Sequence, residues 1–578
     1  MIERDRVRDA LPLLLVLTLA VAASASGLGN GFAYDDVPII RDNARVHDLT
    51  VAWRLFGQPY WPPPWTGEVY RPLTLLLFTA QWSLGGGSPL LFHIVSIALY
   101  AGVCIAVHRL AVLVLPDAPR AALAAAVLFA VHPVHVESVG NIVGQAELLV
   151  ALFVTSAVAL YVRWRRADST IPLGAGRIAA LAALFLGACL AKEHGIVLPA
   201  LLVLAELLLV PHATLVPAAR RARLLAPTAL VLLAVAVGFL VVRTVVVGGV
   251  GGATSPAFIG HSLEARLLTA VGAVPHWIRL LLWPAALSAD YLPQHVPLRT
   301  SLGVEALGAI VLLLSVPVLA LLMARRQPVV AYALGFVVVA ILPVSNLLVQ
   351  TGIIVAERTL FLASIGAMLL VGAGVAAALR HAGSRGRSAL AVALAALVVL
   401  GAWRSAVRQP VWRDSATVFE QTVRDAPLSY KAHWMWGMTR IEAGDTTSGL
   451  RELRAAAHLY PHDGLLQRTL GEQLRAAGHC PAAFEPLERA LELRSDESEI
   501  HALIADCNLR VARFTEAARA AKRGLAITPR DPALLMLARV ADSVLVARDS
   551  APAGAVPIPP VTPRTAMRPL AARPSRDR

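Results

Sequence analysis

Two adjacent carboxylates, Asp35 and Asp36, stand in the segment Gly31-Phe32-Ala33-Tyr34-Asp35-Asp36-Val37-Pro38, a few residues beyond an apolar run long enough to enter a membrane. A carboxylate at a lipid surface suits proton abstraction from a hydroxyl, and cations are needed beside it if the group displaced is a phosphate. Three further clusters carry ionisable groups near apolar runs. One is His132-Pro133-Val134-His135 with Glu137, Asn141, Gln145 and Glu147; another is Lys192-Glu193-His194-Gly195; the last is Glu357-Arg358, near Ser345-Asn346. Charge at membrane depth is costly and reads by default as functional. The plain alternatives are a solvated turn for Asp35-Asp36 and satisfied ion pairs for Lys192 with Glu193 and Glu357 with Arg358. Histidines three apart suit a metal, but no cysteine and no helix-spaced third ligand accompanies His132 and His135, so hydrogen bonding to a phosphate or sugar is the better reading.

The elements that position these groups are set by composition. The 578 residues are 57% hydrophobic and 16% charged, with a mean hydropathy of +0.64. That charge is too dilute for a soluble domain and points to lipid as the main solvent. Eleven apolar runs follow, at Leu11–Gly27, Leu90–Val107, Ala121–Val131, Leu148–Val162, Ile178–Leu190, Gly195–Val210, Leu225–Val242, Val304–Met323, Val329–Leu348, Leu360–Leu379 and Ala389–Ala402. Several are shorter than the roughly 20 residues that cross hydrocarbon and must borrow flanking residues.

The net charge of +14 is almost all arginine, and it lies in short loops: Arg4, Arg6 and Arg8; Arg163, Arg165 and Arg166; Arg220, Arg221 and Arg223; Arg325 and Arg326; Arg380, Arg385 and Arg387. This is a positive-inside pattern and excludes a nucleic-acid partner as the source of the charge. With those clusters cytoplasmic, the N-terminus is inside, provided that Leu267–Leu287, broken by Pro275 and Pro284, does not span. An odd number of crossings places loop 28–89, loop 243–302 and the C-terminal region outside the cytoplasm, in the inner or plasma membrane of the cell. Arg8, a short apolar core and Ala23-Ser24-Ala25 also read as a cleavable secretory signal, which leaves downstream sidedness unchanged.

Past Arg404 the chemistry becomes that of soluble helices, with a period. Pro427, Pro461, Ser495 and Pro529 recur every 34 residues, as do Gly437, Gly471 and Ala505, and Gly444, Gly478 and Ala512. A 34-residue period with a small residue at a helix crossing is the tetratricopeptide signature. Three repeats are expected, and Trp412-Arg413-Asp414-Ser415 suggests a degenerate fourth. Such an array binds extended peptide or braces the membrane part. Cys104 and Cys189 lie in membrane runs, whereas Cys480 and Cys507 fall on helices of neighbouring repeats that pack antiparallel, where a disulfide and two small core residues are both open. From Asp549 the chain is Pro, Ala and Arg, expected to be a disordered tail. The domains read as 1–405, membrane; 406–548, extracytoplasmic (periplasmic) repeats; and 549–578, tail.

Taken together, Tyr34-Asp35-Asp36, Tyr70-Arg71-Pro72-Leu73-Thr74, Phe129 through Glu137, Lys192-Glu193, Ser288-Ala289-Asp290-Tyr291, Ala356-Glu357-Arg358 and Trp412-Arg413-Asp414-Ser415 resemble the transmembrane and tetratricopeptide-repeat proteins. These are GT-C class glycosyltransferases that O-mannosylate cadherins in animals. The resemblance runs from about Phe32 to Pro529. It implies a polyprenyl-phosphate-linked sugar donor, an extracytoplasmic acceptor and an inverting transfer. It also implies a catalytic acid in the first loop, here Asp35 or Asp36, with Asp35 the first choice for the base. Arg71, Lys192 and Arg358 are implied to face the donor phosphate; His132, His135, Glu193 and Glu357, from the clusters above, are expected to bind the donor phosphate or sugar. Short helices at Leu73–Leu84 and Leu267–Leu287 are implied as well. The sequence departs from the family pattern at Gly144-Gln145-Ala146-Glu147, where Gly-Arg-Ala-Asp is common, and at Thr359, where an aromatic is common.

The fold expected is therefore all-α: a polytopic membrane bundle of GT-C type with about eleven transmembrane helices, then a soluble tetratricopeptide solenoid. The function expected is transfer of a sugar, with mannose as one candidate, to a protein hydroxyl recruited by the repeats. No cofactor is expected beyond the lipid-linked donor, and a requirement for a divalent metal stays open. A non-enzymatic membrane-anchored scaffold, and a transferase acting on lipid A or a surface polysaccharide, are the competing readings.

Overall fold

The computed structural model describes residues 2–63, 68–210, 218–249, 258, 260–292 and 296–549; the expected tail lies outside them, apart from Asp549. The described residues form helices joined by turns and irregular segments, without a strand, and the chain divides into two compact units, Met1–Gln421 and Thr422–Arg578.

In the first unit the helices are α1 (Ile2–Ser24), α2 (Pro72–Gly85), α3 (Pro89–Val114), α4 (Pro119–Ala130), α5 (Val136–Gly140), α6 (Gln145–Ala167), α7 (Ala175–Ala191) and α8 (Leu198–Leu208). They continue with α9 (Ala218–Val247), α10 (Leu263–Gly272), α11 (Val274–Leu282), α12 (Val304–Met323), α13 (Pro328–Ile341), α14 (Phe361–His381), α15 (Ser384–Arg408) and α16 (Ser415–Asp425), the last running past the unit boundary. Every one of the eleven apolar runs is helical. Among the described residues, seven helical stretches are long and apolar enough to cross a membrane alone, and an eighth forms if α4 and the bent segment after it, turned by 45°, count together. That is fewer than eleven. The shortfall lies in α7, α8 and α13, which are cut short where the polar segments Lys192–His194 and Ser345–Asn346 interrupt them. The region Leu267–Leu287 forms the short pair α10 and α11, split at Ala273 ahead of Pro275.

Apolar side chains on the outer helices face away from protein: Leu321 is 76% exposed, Val399 66% and Leu230 65%. Water would make that ruinous, and lipid makes it ordinary; these helices fit a multi-pass membrane protein. Inside, α4 and α14 approach closely because their facing residues are small. A Cβ on Gly372 would lie 3.0 Å from the Ala125 Cβ and 3.3 Å from the Ala121 carbonyl, the close backbone contact that small residues permit between membrane helices.

In the second unit the described residues form, after the end of α16, three helical pairs: α17 (Tyr430–Glu442) with α18 (Thr446–Leu459), α19 (Gly464–Ala476) with α20 (Cys480–Leu493), and α21 (Ser498–Arg510) with α22 (Phe514–Ile527). A single helix, α23 (Pro532–Asp549), follows them, the last among the described residues. Ser429 and Asp463 cap α17 and α19 by accepting from Ala432 N and Leu466 N, which satisfies donors that the first helical turn leaves open. A Cβ on Gly471 would come within 2.5 Å of the Leu487 side chain, which explains the small residue at that period. Cys480 and Cys507 are disulfide-bonded, with Cα atoms 5.1 Å apart. Trp412-Arg413-Asp414-Ser415 does not open a fourth hairpin. Trp412 is buried at 2% exposure on a 3-10 turn, Gln409–Trp412, and only the lone α16 separates it from the first pair.

Candidate active site

The first loop turns sharply at Tyr34, whose φ of 53° lies in the left-handed region. For a side-chain-bearing residue that conformation costs about 1–2 kcal/mol and must be held by its surroundings. Beyond the turn the two aspartates part. Asp36 is fully buried; its Oδ2 accepts from Ala33 N and Ile142 N, both at 3.2 Å, and its Oδ1 accepts from Val143 N at 2.8 Å. Burial pushes this carboxyl up to about 7, against the pull of those three amides. Asp36 therefore pins the first loop to the α5–α6 connection. Asp35 points the other way, with Oδ2 3.6 Å from Arg358 Nη2 and its side chain 16% exposed.

Arg358 sits at the start of the segment leading into α14, on a 3-10 turn of residues Glu357–Leu360. Its Nη1 donates to Glu137 Oε1 at 2.5 Å and its backbone amide to Glu137 Oε2 at 2.8 Å. Glu137, at 1% exposure, is thus the buried counter-ion that fixes the guanidinium. The Tyr34 hydroxyl is held well above the usual phenol range by burial and by the Asp35 charge, with Arg358, Asp290 and Glu137 acting on it too. These five groups share one neighbourhood.

Two more cations border it. Lys192, just after α7, pairs with Glu147 at the start of α6. Burial holds this ammonium below the ordinary lysine range despite Glu147, and Arg71 and Arg358 act on it as like charges. Arg71, at the head of α2, donates from Nε to Glu193 Oε2 at 3.1 Å, while Tyr70 N donates to Glu193 Oε1 at 2.7 Å. Burial raises the Glu193 carboxyl, but Arg71 and that amide outweigh it and hold it below its usual range. The guanidinium of Arg71 also lies over the Tyr60 ring at 5.1 Å, a cation–π contact.

The remaining predicted residues lie deeper. His132 bonds the Leu281 carbonyl through Nε2 at 3.1 Å, and its Nδ1 accepts from Val134 N. His135 is held between the Tyr100 hydroxyl at 2.9 Å and Ser364 Oγ at 2.8 Å. Both rings are buried and tie helices together. Glu357, at 2% exposure, accepts from Ser288 N and from the Tyr291 hydroxyl, each at 2.7 Å, and so anchors the loop that carries Asp290. Gln145, where the related pattern has arginine, is buried in amide contacts with Gln81, Phe92 and Ser96. Among the described residues, no group of three or more His, Cys, Asp and Glu stands close enough to hold a metal ion. Tyr34 and Asp290 stand in motifs that carry the resemblance, but the sequence assigns neither a role; the backbone strain at Tyr34 leaves no trace in composition.

No family model matches the chain. Among curated proteins it is similar to Protein O-mannosyl-transferase TMTC4 of Homo sapiens, at 29% identity over 466 residues, 73% of this chain and 62% of that protein. It is also similar to the human TMTC1 protein at 26% identity, covering 77% of this chain and 54% of the relative, and to Drosophila melanogaster Tmtc3 at 25%, covering 89% and 58%. These relatives carry the name of the proteins that the motifs resemble. The chain spans between 54% and 62% of their length. Among solved structures, the Cut9–Hcn1 hetero-tetramer covers 81% of this chain at 13% identity and a TM-score of 0.22, a score from which no shared fold follows.

Proposed function

We propose that this chain is a membrane protein O-mannosyltransferase that moves mannose, with inversion, from a polyprenyl phosphate to a protein hydroxyl outside the cytoplasm. The observation that carries the reading is a partly exposed carboxylate, Asp35, held beside Arg358 and bordered by Lys192 and Arg71. An acceptor hydroxyl attacks the sugar C1 while Asp35 takes its proton. The bond from C1 to the phosphate oxygen breaks, and the electron pair leaves on the polyprenyl phosphate. That leaving charge meets Arg358, Lys192 and Arg71, each already oriented by a carboxylate partner, so little reorganisation is needed as charge develops. Asp36 is a positioning residue in this scheme, and the histidines brace the frame. The repeats recruit an extended segment of the acceptor, as such arrays do.

The test is transfer of labelled mannose from polyprenyl-phosphate mannose by full-length protein, wild type against Asp35→Asn and Asp36→Asn at equal folded abundance. Loss in Asp35→Asn of about 100-fold or more, the usual worth of a general base, supports the assignment. Full activity in that variant removes Asp35 as the base. A wild type inert with every lipid donor favours a scaffold.

A further inference from the structure

We infer that the segment from Gln409 to Phe419, immediately past the last apolar helix, is a positioning element of the site, acting through the backbone of Tyr34. Its catalytic half rests on the transferase reading above; its structural half does not. A left-handed tyrosine immediately before Asp35 needs external support, and that segment supplies it. The Tyr34 amide donates to Ser415 Oγ at 3.0 Å, and its ring meets Phe419 edge-on at a centroid distance of 5.4 Å. The approach to the turn is held by the same segment, since Gly31 N donates to the Arg413 carbonyl at 2.8 Å. The contact is close, since a Cβ on Gly31 would lie 3.2 Å from the Arg413 carbonyl and press it back by a few tenths of an ångström.

Rotation about φ of residue 34 swings every atom that follows it. The placement of Asp35 beside Arg358 and of Asp36 under the amides of Ile142 and Val143 therefore depends on one dihedral angle. Ser415 and Phe419 lie 381 and 385 residues further along the chain and meet the loop at Tyr34; their contribution is to keep that angle. Trp412-Arg413-Asp414-Ser415, left over from the repeat period, takes its meaning from this contact.

The experiment compares full-length wild type with Ser415→Ala, Phe419→Ala, the double variant and Ser415→Thr, which keeps the hydroxyl. Amide hydrogen exchange over residues 31–37 and 140–145 is read first. Losing the supports speeds exchange in both segments by about tenfold in the double variant, the worth of one hydrogen bond, while α6 and α14 stay protected and Ser415→Thr matches wild type. Transfer to a short Ser/Thr peptide is read second: kcat falls by about tenfold or more with little change in donor KM, since the base is misplaced and not the donor contacts. Ser415→Thr restores kcat. Unchanged exchange in both segments overturns the inference, and so does raised exchange with unchanged kcat. If the double variant does not fold, Ser415→Ala alone is read by the same two measurements. If wild type transfers nothing, the transferase reading falls and exchange alone decides the clamp.

Discussion

Asp35 and Asp36 are identical in chemistry and adjacent in sequence, and the fold gives them different work, so their variants separate position from composition. Asp36→Ala leaves three buried amides without an acceptor and should destabilise the first unit by about 1–3 kcal/mol, seen as a lower thermal midpoint at any pH. Asp36→Asn keeps the shape. With the folded carboxyl raised to about 7 from 3.8, the proton is bound more tightly in the folded state. Stability from this group is then fully present below about pH 4 and is lost as pH rises through about 7. Asp36→Asn should abolish that component, so that wild type and variant diverge across this window; parallel stability profiles would count against the buried-acid reading. The acid pair was legible in the sequence, because carboxylates beyond a membrane run are conspicuous. Which oxygen faces which partner was not. That choice is made by Ile142, Val143 and Arg358, contributed by chain more than a hundred and more than three hundred residues away.

At the scale of elements, periodicity is local and was read well. The apolar runs are helices, and the 34-residue period marks helical pairs beginning at Tyr430, Gly464 and Ser498. The same period carries a backbone requirement. Gly444, Gly478 and Ala512 end the first helix of each pair with φ of 91°, 81° and 59°. Alanine pays a steric cost there that glycine avoids. Ala512→Gly should therefore stabilise α21 and α22 by roughly 0.5–1 kcal/mol after its own unfolded-state entropy is subtracted, measurable as slower hydrogen exchange in that pair. Faster exchange would show that the turn is unstrained. The disulfide works between elements, joining the start of α20 to the late part of α21 across 27 residues. Replacing both cysteines by alanine should lower the stability of the repeats by about 3 kcal/mol on chain-entropy grounds, seen in denaturant unfolding followed within the second unit. The expected fourth repeat failed for a physical reason. A helical pattern at Val418 and Phe419 looks the same whether its apolar face covers another repeat helix or a strained loop, and periodicity does not tell the two apart.

For the whole molecule the question is sidedness. A stable disulfide in the repeats fits an oxidising compartment, and the arginine-rich loops fit the cytoplasm. The two signals are independent, since one concerns redox chemistry and the other membrane insertion, and the proposed orientation requires both, with the repeats outside the cytoplasm and the basic loops inside it. Asp35 belongs with the repeats if the count of crossings between them is even. That count turns on the three short helices α7, α8 and α13, and thiol labelling measures it. Positions suited to single introduced cysteines are Thr50 in the first loop and Arg326 between α12 and α13, both exposed, and Arg489 on α20, which is partly exposed. In intact cells or right-side-out vesicles, an impermeant thiol reagent should modify Thr50→Cys and Arg489→Cys, and reach Arg326→Cys only after the membrane is opened. The buried Cys104 and Cys189 supply little background. Labelling of Thr50→Cys and Arg489→Cys from opposite sides would separate the carboxylate from the repeats by a bilayer. An acceptor held by the repeats would then have no path to Asp35, and the proposed recruitment would fail even if sugar transfer itself survived.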